Sequence, residues 1–277
     1  SSYSAGIGGG YNGKIDSITI EGGTVEANGD SGAGIGGGMM QNAPSATDGG
    51  TINISGGNIT ASSLSNGIGG GLHYISAGLP TTINITGGII DAAGYYAGIN
   101  SNEGEINISD GQITARSTSY GAGIGGAYGG RIYGGTINIS GGTIVAQGGS
   151  EGGAGIGGGY YGGAVDAPGS IINISGGDIT ASGGPYSAGI GGGYGTTAGE
   201  ITITGGNITA HGDGGSAIGR GAVGFGGSGG GKIIISQAIV NASVENLLDA
   251  VAINAGPSGA IHIGFTGEPA EWVCDPI

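Results

Sequence analysis

Gly121-Ala122-Gly123-Ile124-Gly125-Gly126, a loop, and then Gly135-Thr136-Ile137-Asn138-Ile139-Ser140-Gly141-Gly142-Thr143-Ile144-Val145-Ala146 form one unit of a pattern that recurs through the chain. The isoleucine of the first block returns as Ile7, Ile35, Ile68, Ile99, Ile124, Ile156, Ile190, Ile218 and Ile253, nine copies at intervals of 25 to 35 residues. Self-similarity at this period marks a solenoid, in which each unit buries its apolar face on the next. In the second block, pairs such as Ile52 and Ile54 or Ile137 and Ile139 fall on one side of a strand, because successive strand side chains point to opposite faces. A Gly-Gly or Asp-Gly turn follows, and a third block such as Ile179-Thr180-Ala181 turns Ile and Ala inward. The first block adds an inward Ala and Ile, with its glycines expected outward or at the bend.

The inward set is therefore Ala, four Ile and Ala in each copy. Stacked at about 4.8 Å, such coils align into internal ladders joined by backbone hydrogen bonds. Burying four isoleucines per coil, at roughly 1.5–3 kcal/mol each, offsets the ordering entropy once neighbouring coils cover both open edges. The expected fold is all-β: a right-handed parallel β-helix of about nine three-strand coils over residues 1–266, right-handed because parallel crossovers almost always are. Residues 267–277 read as a linker or the start of a following module. The segment Val244 to Ala252 reads as a short helical turn, and Ile233 to Ala242 as a degenerate copy. The chain enters a first block almost at Ser1, which reads as a piece of a longer polypeptide or as an edge closed by end-to-end stacking.

Composition agrees with a repeat and narrows function. The 277 residues include 76 glycines and 9% charged residues, and the glycines hold fixed places, unlike those of a flexible linker. Five Lys and Arg against nineteen Asp and Glu give a net charge of -14, a field that repels nucleic acid and anionic membrane surfaces. The lone Cys274 forms no internal disulfide.

Length variation gathers on one edge. From the first-block Ile to the second Ile of the next strand the spacing runs from 9 to 19 residues, whereas the return path varies only from 14 to 18. Insertions collected in this way often mark a binding face. Tyrosines gather at the same place: Tyr11, Tyr128, Tyr160 and Tyr194 follow the glycine block in one register, next to Tyr161, and Tyr3, Tyr96, Tyr120 and Tyr186 precede it. Two aromatic columns flanking a glycine-floored strip would suit an extended polysaccharide, since tyrosine offers an apolar face and a hydroxyl. The same columns could instead cover exposed backbone and stack for stability. The candidate ligand-binding residues are Tyr11, Tyr96, Tyr120, Tyr128, Tyr160, Tyr161, Tyr186 and Tyr194.

Other patterns carry less chemistry. Asn53, Asn84, Asn107, Asn138 and Asn173 match glycosylation acceptors, but their regular spacing reads as an outward amide ladder. The fourth copy departs from the rule at Ile99-Asn100 and has the shortest loop; Glu103, Glu105 and Asp110 nearby are candidate oxygen ligands for calcium, or part of a solvated acidic edge. No cofactor is expected otherwise. The histidines His73, His211 and His262 share no column, and no nucleophile has a spaced base, so no enzyme is expected.

The alternation of Gly-Ile-Gly-Gly-Gly with Ile-x-Ser-Gly-Gly-x-Ile-x-Ala, over residues 5 to about 242, resembles Gly-rich repeats in surface proteins of Gram-positive bacteria. It is also similar to the right-handed β-helix carbohydrate-binding proteins of clostridia. Where those proteins carry Asp-rich, calcium-linked positions, this chain has Ala122-Gly123 and Ala154-Gly155. The resemblance implies a non-catalytic, extracellular, cell-surface adhesin segment that binds a polysaccharide or a host or cell-wall glycan along the tyrosine edge. The alternative is a structural stalk that associates end to end. Ice binding and polysaccharide lyase activity rank below both.

Overall fold

The computed structural model describes residues 3–40, 49–71, 80–128, 135–160, 169–222, 231–245, 252–254 and 260–264. The five loops that leave the first block through 41–48, 72–79, 129–134, 161–168 and 223–230 lie outside the described residues, as do Tyr161, His73 and 265–277.

The chain is a right-handed parallel β-helix, with no helix among the described residues. One sheet stacks the first blocks nine deep: Ile7–Gly8, Ile35–Gly36, Asn66–Gly69, Ala97–Asn100, Ile124–Gly125, Ile156–Gly157, Ile190–Gly191, Ile218–Gly219 and Ile253–Asn254. The isoleucines pair in register from coil to coil, as in Ile7 with Ile35 and Ile156 with Ile190. The second and third blocks form two further parallel faces, seen separately in coil five as Thr136–Ile139 and Thr143–Gln147. In coils three and four these faces fuse, because single strands run through the turn as Thr82–Gly94 and Glu105–Ser117.

About seven turns are regular, fewer than the nine the spacing suggests. The eighth contains Lys232–Ser236 and Ile239–Glu245, and the ninth Ile253–Asn254 and Ala260–Gly264. Regularity fades where the glycines are lost. Gln237, at φ 54°, stands where other coils carry the turn glycine, and Ala217 replaces the glycine before Ile218. Val244 and Glu245, expected in a helical turn, belong to a strand instead, paired with Gly212 and Asp213; residues 246–251 lie outside the described residues.

The core is the expected ladder. In coil five Ala122, Ile124, Ile137, Ile139, Ile144 and Ala146 are each no more than 1% exposed. The outward Asn column is a ladder too: each amide Nδ2 donates to the Oδ1 one coil earlier, at 2.9 Å from Asn84 to Asn53, 3.0 Å from Asn107 to Asn84, 2.8 Å from Asn138 to Asn107 and 2.9 Å from Asn173 to Asn138.

Glycine after the first-block isoleucine is the steric requirement of the stack. Gly36, Gly69, Gly125, Gly157, Gly191 and Gly219 all have φ between 128° and 139°, a region closed to side-chain-bearing residues. A Cβ on Gly157 would stand 2.0 Å from the carbonyl oxygen of Gly191 one coil away. The glycine before the isoleucine is buried, contrary to the expected outward placement: a Cβ on Gly155 would meet the Ser182 nitrogen at 2.6 Å, so the first block lies directly on third-strand backbone.

Coil four breaks the rule with amides. Asn100 donates from Nδ2 to the Gly125 carbonyl and accepts the Asn102 N–H at 2.9 Å, and the Asn102 amide fills the space above Gly70. The chain then turns through Asn102 and Glu103, at φ 49° and 71°, which makes the shortest loop workable.

Two glycine substitutions test this steric account. Gly157→Ala is expected to cost on the order of 1–3 kcal/mol or more in equilibrium unfolding, from backbone strain alone. Gly22→Ala, whose Cβ would meet nothing within 4 Å, is expected to stay within about 1 kcal/mol of the parent chain. Equal effects would contradict the close-approach argument.

Candidate functional site

Six of the first blocks close as arches by a backbone hydrogen bond, and the third closes through the Asn66 amide onto the Gly70 carbonyl. The Ala122 N–H donates to the Gly126 carbonyl at 2.8 Å, and Ala154 to Gly158 and Ala188 to Gly192 do the same at 2.9 Å. An i to i+4 closure places the residues before and after the block side by side. The two tyrosine columns therefore do not flank an open strip as the spacing suggests; they meet.

Tyr120 and Tyr128, on either side of one arch, have centroids 4.7 Å apart, and Tyr186 and Tyr194 are 5.5 Å apart. Along the axis Tyr128 stacks on Tyr160 at 5.9 Å and 7°, and Tyr160 on Tyr194 at 5.5 Å and 25°. Tyr96 joins at 6.3 Å from Tyr120, and Tyr95 at 5.6 Å. Seven rings thus form one continuous row across coils four to seven, in which each ring packs beside a neighbour. Tyr128 remains 48% exposed and Tyr186 54%. Tyr11 stands apart, paired with Tyr3 at 5.2 Å, and the intervening Met39 is buried. Tyr161 lies outside the described residues.

A groove of about 490 Å³ runs beside this row, at the corner between the third strand and the next first block. Its lining comes from four successive coils: Arg116 and Thr118, Gln147 and Ser150, Pro185, and Asp213, over a floor containing Gly148 and Gly183. The ridge between groove and tyrosines is 150–152; a Cβ on Gly152 would sit 2.8 Å from Tyr194 Cβ and 3.3 Å from Tyr160 Cδ2. Sequence reasoning missed these residues, although a signal was present. From the third-strand Ala to the first position of the next block the corner is 7 residues for 115 to 122, 8 for 146 to 154 and 7 for 181 to 188, but 6 for 210 to 216 and for 27 to 33, and 5 for 61 to 66 and 92 to 97. The three longest corners are those that carry most of the groove lining.

The candidate calcium ligands do not converge. Glu105 opens a strand, with Oε2 3.5 Å from Asn107 Nδ2, while Asp110 lies past its second-face portion and accepts the Gly111 N–H at 2.7 Å. Five residues of extended chain separate the two, roughly 16 Å at about 3.3 Å per residue. Glu103 sits in the turn before them. Among the described residues no three His, Cys, Asp or Glu side chains are grouped as a metal site requires. Arg116, near these acids in sequence, forms its ion pair with Asp91. His211 meets Ser243 at 3.0 Å and Glu245 at 3.8 Å on the third face, whereas His262 continues the column of Ile234 on the second.

Tyr120 is electrostatically marked within the row. The neighbouring Tyr95 hydroxyl, followed by partial desolvation, a hydrogen bond with Tyr95 and the Glu151 carboxylate, pushes its phenol above the usual tyrosine range. A raised folded-state pKa favours the neutral phenol, so its contribution to stability is complete below about pH 10 and is lost as pH rises through the raised value. Removing the Tyr95 hydroxyl with Tyr95→Phe is expected to move the latest tyrosinate absorbance transition to lower pH. An unchanged titration would show that Tyr95 does not set it.

A family model described as a Beta helix repeat matches residues 18–39, 52–72, 106–128, 137–160 and 172–194. Each match begins in a second-face strand, crosses the turn and third face, and ends at the following glycine block. No curated protein and no solved structure matches the chain. Stack, register and these matched units together make the chain a β-helix repeat protein.

Proposed function

We propose that this β-helix is a non-catalytic, extracellular, surface-displayed segment that binds a glycan along its tyrosine edge. The observation that carries the reading is the seven-ring row itself. It lies outside the isoleucine core, spans four coils and keeps Tyr95, Tyr128 and Tyr186 exposed. Aromatic surface held exposed on a rigid scaffold is characteristic of an interaction site, and tyrosine combines an apolar ring with a hydroxyl that suits sugar CH and OH groups. A net charge of -14 argues against nucleic acid and anionic membranes as partners. Within the row Tyr128, Tyr160 and Tyr194 recur at one ring per coil along the axis, as a linear polysaccharide repeats.

A second reading is favoured by a different observation. The rings pack on one another, so the row could serve a rigid stalk as the Asn ladder does, at about 0.5–1.5 kcal/mol per aromatic pair. The two readings separate in one experiment on the double variant Tyr128→Ala with Tyr160→Ala, measured for retention on a panel of plant, mucin and cell-wall polysaccharides and for thermal unfolding. Glycan binding is expected to appear as retention by the parent chain that the variant loses. A parent chain retained by nothing, or a variant retained equally while melting earlier, would favour the stalk.

A further inference from the structure

We propose that the glycine-floored groove at the third-strand corner is the seat of the ligand, and that it takes a linear, uncharged glycan laid along the helix axis. This rests on the glycan-binding reading and adds the position and charge class of the sugar.

Position follows from topology. Arg116 and Gln147 are register partners on adjacent coils; on the next two coils the lining shifts past their register partner Ser182 to Pro185 and Asp213, which pair with each other, so the groove crosses four coils somewhat obliquely to the axis. Three coil spacings at about 4.8 Å give a trough roughly 14 Å long. Its volume, about 490 Å³, falls in the usual range for ligand sites. The floor stays bare for a steric reason: a Cβ on Gly148 would stand 1.9 Å from the Gly153 oxygen, and one on Gly183 2.5 Å from the Ala188 oxygen. Side chains are thereby kept off the floor while Thr118, Gln147 and Ser150 stand exposed around it. The Thr118 and Ser150 hydroxyls donate to backbone carbonyls and keep lone pairs to accept with, while the Gln147 amide both donates and accepts, a set that matches sugar hydroxyls.

Charge class follows from the ends of the trough. Arg116 is the one cation lining it and is engaged by Asp91, while Asp213 lies at the other end. With a chain charge of -14, a polyuronate would enter against the field without an unengaged cation to meet it. An uncharged glycan meets no such opposition.

Tyr186 supports the placement independently. It follows Pro185 at the groove wall, holds φ at 62° and lies with Cδ1 3.3 Å from the Cβ position of Gly214. A bulky residue in the left-handed region is strained, and such strain concentrates at functional sites. At 54% exposure its ring offers an apolar platform where the trough meets the tyrosine row.

The test is calorimetric titration of the whole chain with xylohexaose, chitohexaose and hexagalacturonate at low ionic strength. At least one uncharged hexasaccharide is expected to bind, and hexagalacturonate about tenfold or more weakly. Gln147→Trp fills the trough from an exposed strand position, and Gln147→Ala removes the amide without adding bulk. With circular dichroism unchanged, the Trp variant is expected to weaken uncharged-sugar binding by about tenfold and the Ala variant by about threefold. Tightest binding of hexagalacturonate overturns the charge class. Binding unchanged in both Gln147 variants but lost in the Tyr128→Ala, Tyr160→Ala chain overturns the groove and leaves the tyrosine reading standing. Absence of binding to all three sugars overturns both.

Discussion

The fold depends on backbone approaching backbone where no side chain fits. At the glycine after each first-block isoleucine, the space a Cβ would need is occupied by the carbonyl oxygen of the next coil, at 2.0 Å for Gly157 and 2.2 Å for Gly125. That contact holds the coils in register while the isoleucine beside it is fully buried, so hydrophobic burial and backbone sterics select the same stacking. Where the column is broken, the chain compensates or loses regularity. Asn100 and Asn102 compensate with side-chain amides in coil four; the eighth turn keeps Gly219 in the column but has Ala217 and Gln237 at two other glycine places, and in the ninth Asn254 stands opposite Gly219, where the regular stack ends.

The same arches generate the edge. A block that closes on itself by an Ala122 to Gly126 hydrogen bond brings the residue before it against the residue after it. Tyrosines at both positions then form one row by geometry, with the glycine-floored corner behind them. Stability and recognition are consequently entangled here: the ring contacts that stiffen the edge are made by the side chains a ligand would meet. The Asn ladder on the second face carries no such ambiguity, since its amides satisfy one another from Asn53 to Asn173.

Much of this is legible from sequence. The burial of Ile124, Ile137, Ile139 and Ile144 follows from period and alternation, and the pairing of the asparagines follows from their shared register. The merging of the tyrosine columns does not, because it depends on a backbone hydrogen bond that no side chain signals. The groove is encoded only as corner length, 7 or 8 residues in three of its corners against 5 or 6 in the other regular coils, a difference with no meaning until a third dimension is given. Asn100 shows the opposite difficulty. Its departure from glycine is conspicuous in the sequence beside Glu103 and Glu105 and suggests metal chemistry there, yet its amide replaces lost backbone contacts.

The glycine arches concentrate the proposed recognition on one edge of an otherwise self-satisfied solenoid. Hydrogen–deuterium exchange of the chain with and without a retained glycan tests it most directly. Added protection is expected in 117–121, 147–152 and 183–187, and none along the Asn53 to Asn173 ladder. Protection confined to the ladder face, or none at the arches and corner, would contradict it.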